Sequence, residues 1–291
     1  MSDAGTQKRC EKPFAIGLEF PDMPGKATAK SSTRSPPQAE KVPGWRSLRY
    51  LFGRMSFDRV VPSEGRRRRI SLIGKEALAF ARQAALMARN VNGQTPSQVF
   101  ESDDVVVLLH GLFATAGVLR PLSERIQLEA SAHTATFSYA PGPGVHAIAR
   151  RLSHLLAELP TGARLHLVGH SLGGVVVRWF VQELGGDPRI VQTISLGSPF
   201  NGTRSARFMP TTAGRDISLD SKVLRRLRER PNHGVPHVSV AASDDTVVSE
   251  PAVFCQGERV LVEGCGHNGL LFDQRVAHLV VSRIVASRGW A

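Results

Sequence analysis

The chain has 291 residues, 42% of them hydrophobic and 21% charged, with a formal net charge of +12. That length allows one α/β domain with a sizeable core plus an extension, and the composition is that of a globular chain. No apolar run reaches the ~18–20 residues of a membrane-spanning helix, no secretory signal opens the sequence, and three cysteines do not make a disulfide scaffold.

The charge is uneven. Residues 1–100 hold 18 Lys and Arg against 8 Asp and Glu, a balance of +10, and residues 101–291 are close to neutral. Residues 1–44 mix Pro, Gly, Ser, Thr and Lys, as a loosely attached segment does. From Trp45 to Phe57 aromatics interleave with arginines, and Arg66–Arg69 form a basic run. Residues 71–90 are Ala- and Leu-rich without proline, which predicts a helix. Leu72, Ile73, Ala77, Phe80, Ala84 and Met87 fall mostly three or four apart and give it one apolar face. Such a helix either packs on the rest of the protein or lies on an anionic membrane with its basic flank. No recognition motif accompanies the basic run, so nucleic acid is not an expected partner.

Beyond residue 100 the pattern changes. The apolar, β-branched run 103–109 reads as a strand buried on both faces of a parallel sheet. Strands of the same kind are predicted at 134–139, 164–169, 190–197, 237–243 and 258–264, with helices at 145–159, after residue 171, near 218–230 and in the final segment 270–287. This alternation defines an α/β fold: a mainly parallel sheet of about six strands with helices on both faces. Ligands of such sheets bind at the carboxyl ends of the strands.

At the end of one strand stands "RLHLVGHSLGG", residues 164–174. Gly169-His170-Ser171-Leu172-Gly173 fits G-x-S-x-G where a strand must turn sharply into a helix. The glycines leave room for that turn, and the helix N-terminus offers amide donors beside the serine hydroxyl. A serine hydroxyl needs a base, and the base needs an orienting acid. Both follow in order after later strands: Asp244 and Asp245, then His267, with Asp245 74 residues after Ser171 and His267 22 residues further on.

The segments "HGLFATAG", "VGHSLGG", "SLGSPFNGT", "ASDDTVV" and "GCGHNGLLF" resemble, in this order over residues 101–291, the α/β-hydrolase family, in particular its small bacterial lipases and esterases. The resemblance implies hydrolysis of acyl esters through a serine acyl-enzyme, with Ser171 as nucleophile and His267 as base. The family's S-x-D-x-x-V pattern selects Asp245 as the acid and leaves Asp244 as a turn or cap residue. It also implies an oxyanion hole made by the backbone N–H groups of Leu172 and Leu112, with Phe113 lining the acyl site. His110 and His170 flank motif glycines and are read as hydrogen-bonding residues that carry no proton in the reaction; His170 is also counted with Phe113 among the substrate-binding residues.

An acyltransferase, a thioesterase or a non-enzymatic binding module on this fold are the alternative functions. No cofactor and no metal site are expected, because "GCGH" is a lone Cys–His pair. Residues 198–235, where lipases often carry a cover, are short, which favours a fairly open site and short-to-medium acyl groups. The expected partners are a small-molecule or lipid ester and, through residues 1–100, an anionic membrane surface; the expected location is cytoplasmic and peripheral to that membrane. Residues 1–100 are expected to be dispensable for the chemistry, since every triad and oxyanion candidate follows residue 101.

Overall fold

Six apolar runs become six strands. The computed structural model describes residues 65–88, 93–96, 98–253 and 256–289. The Pro- and Ser-rich segment, the Trp45–Phe57 stretch and Cys255 lie outside these. All the described residues belong to one compact unit, Tyr50–Ala291.

Helix α1 spans Gly65–Met87. Strand β1 (Asp104–Leu109) is followed by a 3₁₀ turn (Ala116–Leu119), α2 (Arg120–Ala130) and β2 (His133–Phe137). Then come α3 (Val145–Ala157), β3 (Arg164–His170), α4 (Leu172–Glu183) and β4 (Ile190–Leu196). Residues 198–235 carry a 3₁₀ turn (Arg204–Phe208), α5 (Thr212–Asp216) and α6 (Lys222–Glu229). The chain closes with β5 (His237–Ala242), α7 (Glu250–Val253), β6 (Glu258–Val262), a 3₁₀ turn (Asn268–Leu271) and α8 (Gln274–Ser287).

The sheet order is β2-β1-β3-β4-β5-β6, and every neighbouring pair is parallel. Parallel strands are covered on both faces, which is why they read as continuous apolar runs. In β1 the alternation is visible side chain by side chain. Val105, Val107 and Leu109 join the core under α3 and α4, whereas Val106 and Leu108 join the core under α2 and α8. The chain leaves β1 for β2 on one side and returns to β3 on the other. The crevice at the carboxyl ends of β1 and β3 is therefore the topological switch point of the sheet.

Residues 198–235, expected to be too short for a large cover, pack into the body of the protein: Ala206, Ala213, Ile217, Leu224 and Leu227 are buried in the core under α3 and α4. Thr203 and Ser205 also donate hydrogen bonds to the carbonyl of Val247. In α1 the inward stripe is Glu76, Ala79, Gln83 and Leu86–Met87, whereas Ala77, Phe80 and Ala84 of the expected apolar face are exposed. The helix is seated by polar anchors as much as by apolar ones, and this sets its rotation.

Candidate active site

β3 ends at His170 and α4 begins at Leu172, so the whole reversal falls on Ser171. Its backbone takes φ 52°, ψ −119°, a region that non-glycine residues occupy only under constraint. The flanking glycines make so tight a turn sterically possible. A Cβ on Gly169 would lie 2.3 Å from the backbone of Gly173 and Gly174, and one on Gly173 would lie 2.5 Å from the carbonyl oxygen of Leu109. Only a chain bare at both positions lets α4 start this close to β3 and β1. Ser171 is 9% exposed, and its N–H donates to the Leu196 carbonyl, which pins the turn to the end of β4.

Asp245 and His267 lie on the loops that follow β5 and β6, at the same edge of the sheet. His267 Nδ1 and Asp245 Oδ2 are 2.7 Å apart, with 6% and 1% of their side chains exposed. The second carboxylate oxygen of Asp245 accepts from the N–H groups of Val247 and Val248, each at 2.8 Å. Those two bonds fix the carboxylate and leave Oδ2 for the imidazole. Asp244 points elsewhere, accepting from the Ser243 hydroxyl at 2.7 Å. Gly197, at φ 61°, follows β4, and a Cβ there would come within 3.2 Å of His267 Nδ1.

His170 sits beneath these groups. Its ring is tilted against that of His267 at 4.9 Å, and its Nε2 lies 3.2 Å from the His267 carbonyl oxygen. Burial, and then the neighbouring His267, hold its pKa down at about 3. The ring is only 2% exposed, so His170 supports His267 from below, which replaces the expectation of a substrate contact.

The loop after β1 carries the other predicted groups. Leu112 packs against the core under α3 and α4, and Phe113 is 49% exposed with φ 60°. His110, behind them, stacks on Tyr139 at 4.1 Å and accepts from the Tyr139 N–H, while the Tyr139 hydroxyl donates to the His110 carbonyl. Burial lowers the His110 pKa to about 4, so this histidine is a neutral strut for the loop. Leu172 opens α4, where the helix N-terminus turns backbone amides and positive potential toward Ser171.

A cavity of about 1200 Å³ lies beside this edge, between α1 and the loops bearing Asp245 and His267. Its walls include Glu76, Phe80, Asp245, Asn268 and Phe272, but neither Ser171 nor His267. It borders the acid–base pair on the side of Asp245. Cys265, in its wall, is a buried free thiol pushed up to about 12 by burial.

Sheet order, elbow and loop placement together define the α/β-hydrolase fold, and this chain has it. The mature lipase BlEst2 of Bacillus licheniformis is similar over 66% of this chain and 96% of its own, with a TM-score of 0.55 at 13% identity. Lipase B of Aspergillus fumigatus is similar over 66% of this chain and 55% of its own, with a TM-score of 0.53 at 15% identity. Phospholipase PlaB of Legionella pneumophila is similar over 63% and 59%, with a TM-score of 0.55 at 14% identity. The chain thus spans little more than half of the last two. No protein-family model matches the sequence. Among the described residues no helix is long and apolar enough to cross a membrane.

Proposed function

We propose that the protein is a serine hydrolase that cleaves carboxylic esters through an acyl-enzyme. The observation that carries this reading is the buried Asp245–His267 pair, set at the sheet edge where the strained turn presents Ser171. Ser171 Oγ adds to the ester carbonyl while His267 Nε2 takes its proton. The negative oxygen of the tetrahedral intermediate is held by the N–H groups of Leu172 and Leu112. The intermediate collapses, the C–O bond to the alcohol breaks, and the imidazolium returns the proton to the departing alkoxide. Water then attacks the acyl-serine with His267 again as base, releasing the acid and restoring the serine hydroxyl. Asp245 keeps the imidazole in the tautomer with its proton on Nδ1. Phe113, exposed on the β1 loop, offers the acyl chain an apolar surface.

Ser171→Ala tests the assignment with p-nitrophenyl esters of graded chain length. The substitution removes the nucleophile and should lower kcat on the order of 10⁶-fold while leaving the protein folded. Turnover near that of the parent would exclude Ser171 as nucleophile. Omitting and adding an acceptor alcohol or a thiol acceptor in the same assay separates hydrolysis from acyl transfer.

A further inference from the structure

The carboxylate of Glu76, on α1, is spent on one short stretch of chain far away in sequence. Its Oε1 accepts from the Asn268 backbone N–H at 2.9 Å and from the Asn268 side-chain amide at 3.0 Å. Its Oε2 accepts from the Gly269 N–H at 3.3 Å. These are the first amides of the 3₁₀ turn Asn268–Leu271, and the residue just before them is His267. A turn of this kind begins with unsatisfied N–H groups, and His267, at the capping position, supplies no side-chain cap. Glu76 caps the turn from 192 residues away. The loop is shaped around it, since a Cβ on Gly266 would lie 2.2 Å from Glu76 Oε2.

The other end of the same helix touches the opposite loop. The Met87 carbonyl accepts a hydrogen bond from the Thr115 hydroxyl at 2.8 Å. Thr115 closes the segment His110–Thr115 that carries Leu112 and Phe113. Eleven residues separate the two attachments, or about 16 Å along the helix axis at 1.5 Å per residue.

We propose that Glu76 is a positioning residue for catalysis, and that α1 braces the His267 loop against the loop that bears the oxyanion donor Leu112. The inference rests on the reading of His267 as the catalytic base. It reverses the expectation that residues 1–100 are dispensable for the chemistry. His267 is then held at three points: Asp245 on its Nδ1, His170 on its carbonyl, and Glu76 on the two amides that follow it. Without Glu76 the loop loses its cap, and the imidazole shifts relative to Ser171. A misplacement of about 1 Å is enough to lower turnover about 10²-fold.

The test uses the full chain and counts working sites by titrating them to completion with a fluorophosphonate. Glu76→Ala should lower kcat per titrated site roughly 10- to 100-fold with KM within about twofold. Glu76→Gln keeps one acceptor oxygen for Asn268 but turns an amide donor toward Gly269, and should fall between Glu76→Ala and the parent. Ala81→Ser, on the exposed side of the same helix and outside the cavity wall, should match the parent. If Glu76→Ala turns over within about twofold of the parent per titrated site, whatever its Tm, Glu76 is only an anchor and the proposal fails. Should that variant be too unstable to titrate, Glu76→Gln decides by the same criterion. Ser171→Ala run alongside separates the two readings. If it is inactive while Glu76→Ala is unimpaired, only this inference falls. If Ser171→Ala is active, the triad reading fails and the inference goes with it.

Discussion

Adjacent aspartates with the same charge and the same reach end up in different roles because the backbone turns between them. Asp245 spends one oxygen on two backbone amides and the other on His267, whereas Asp244 bonds the Ser243 hydroxyl. Replacing Asp245 by Asn removes the charge and lets the side-chain amide face the imidazole with the wrong polarity, so kcat should fall roughly 10⁴-fold. Asp244→Asn should change it by less than about tenfold, since nothing in the acid–base pair touches it. Paired kcat measurements check this, and a larger loss in Asp244→Asn would reassign the acid. The residues themselves leave both aspartates open, and only likeness to a family pattern separates them. The geometry separates them through hydrogen bonds that no periodicity predicts. Glu76 carries no local signal at all, because its partners lie 192 and 193 residues away and it reads as one more charge on a helix.

At the scale of elements, what was legible is what depends on local pattern. Strands buried on both faces announce themselves as β-branched runs, and the expected bounds differ from the observed ones by at most two residues, as at 134–139 against His133–Phe137. The G-x-S-x-G turn was legible for a similar reason, since its glycines answer contacts within a few residues or on the adjoining strand. The rotation of α1 was not, because its inward stripe is chosen by Glu76 and by packing against distant turns. As a consequence Leu78 and Phe80 are 69% and 64% exposed on a helix whose sequence opens with Arg66–Arg69. We propose that the outward side of α1 meets an anionic membrane, with Leu78 entering the interface and the basic run adding about 1 kcal/mol per charge near the surface. The full chain should then sediment with phosphatidylserine-containing vesicles at low salt and be released as ionic strength rises. Leu78→Ser should weaken the association without lowering turnover of a soluble ester. Full-length protein that ignores such vesicles at low salt would refute the contact.

For the molecule as a whole, the switch point that gathers the site also gathers buried histidines. His110 and His170 are held at about 4 and about 3 by burial, and His237, at the opposite, amino end of β5, is lowered well below its ordinary value by burial and by Arg178. Each must stay neutral in the folded state, while in the unfolded chain each takes a proton near pH 6.5. Between those values the unfolded state binds more protons, so stability declines as pH falls from about 6.5 toward 4. Asp104 adds a later loss: burial alone would raise its pKa, but bonds from His166, Arg288 and Arg164 hold it well below the usual carboxylate range. Thermal unfolding followed from pH 7.5 to 4.5 should show Tm falling steadily below pH 6.5, and a flat profile would mean these rings are not buried neutral. The proposed role of Ser171, as the nucleophile of an acyl-transfer reaction, is open to direct measurement. The most direct measurement is peptide mass mapping of full-length protein treated with a fluorophosphonate while esterase activity is followed. One equivalent of adduct on Ser171, accumulating in step with the loss of activity, is the predicted result. An adduct on another residue as activity disappears, or full occupancy of Ser171 with activity retained, would contradict it.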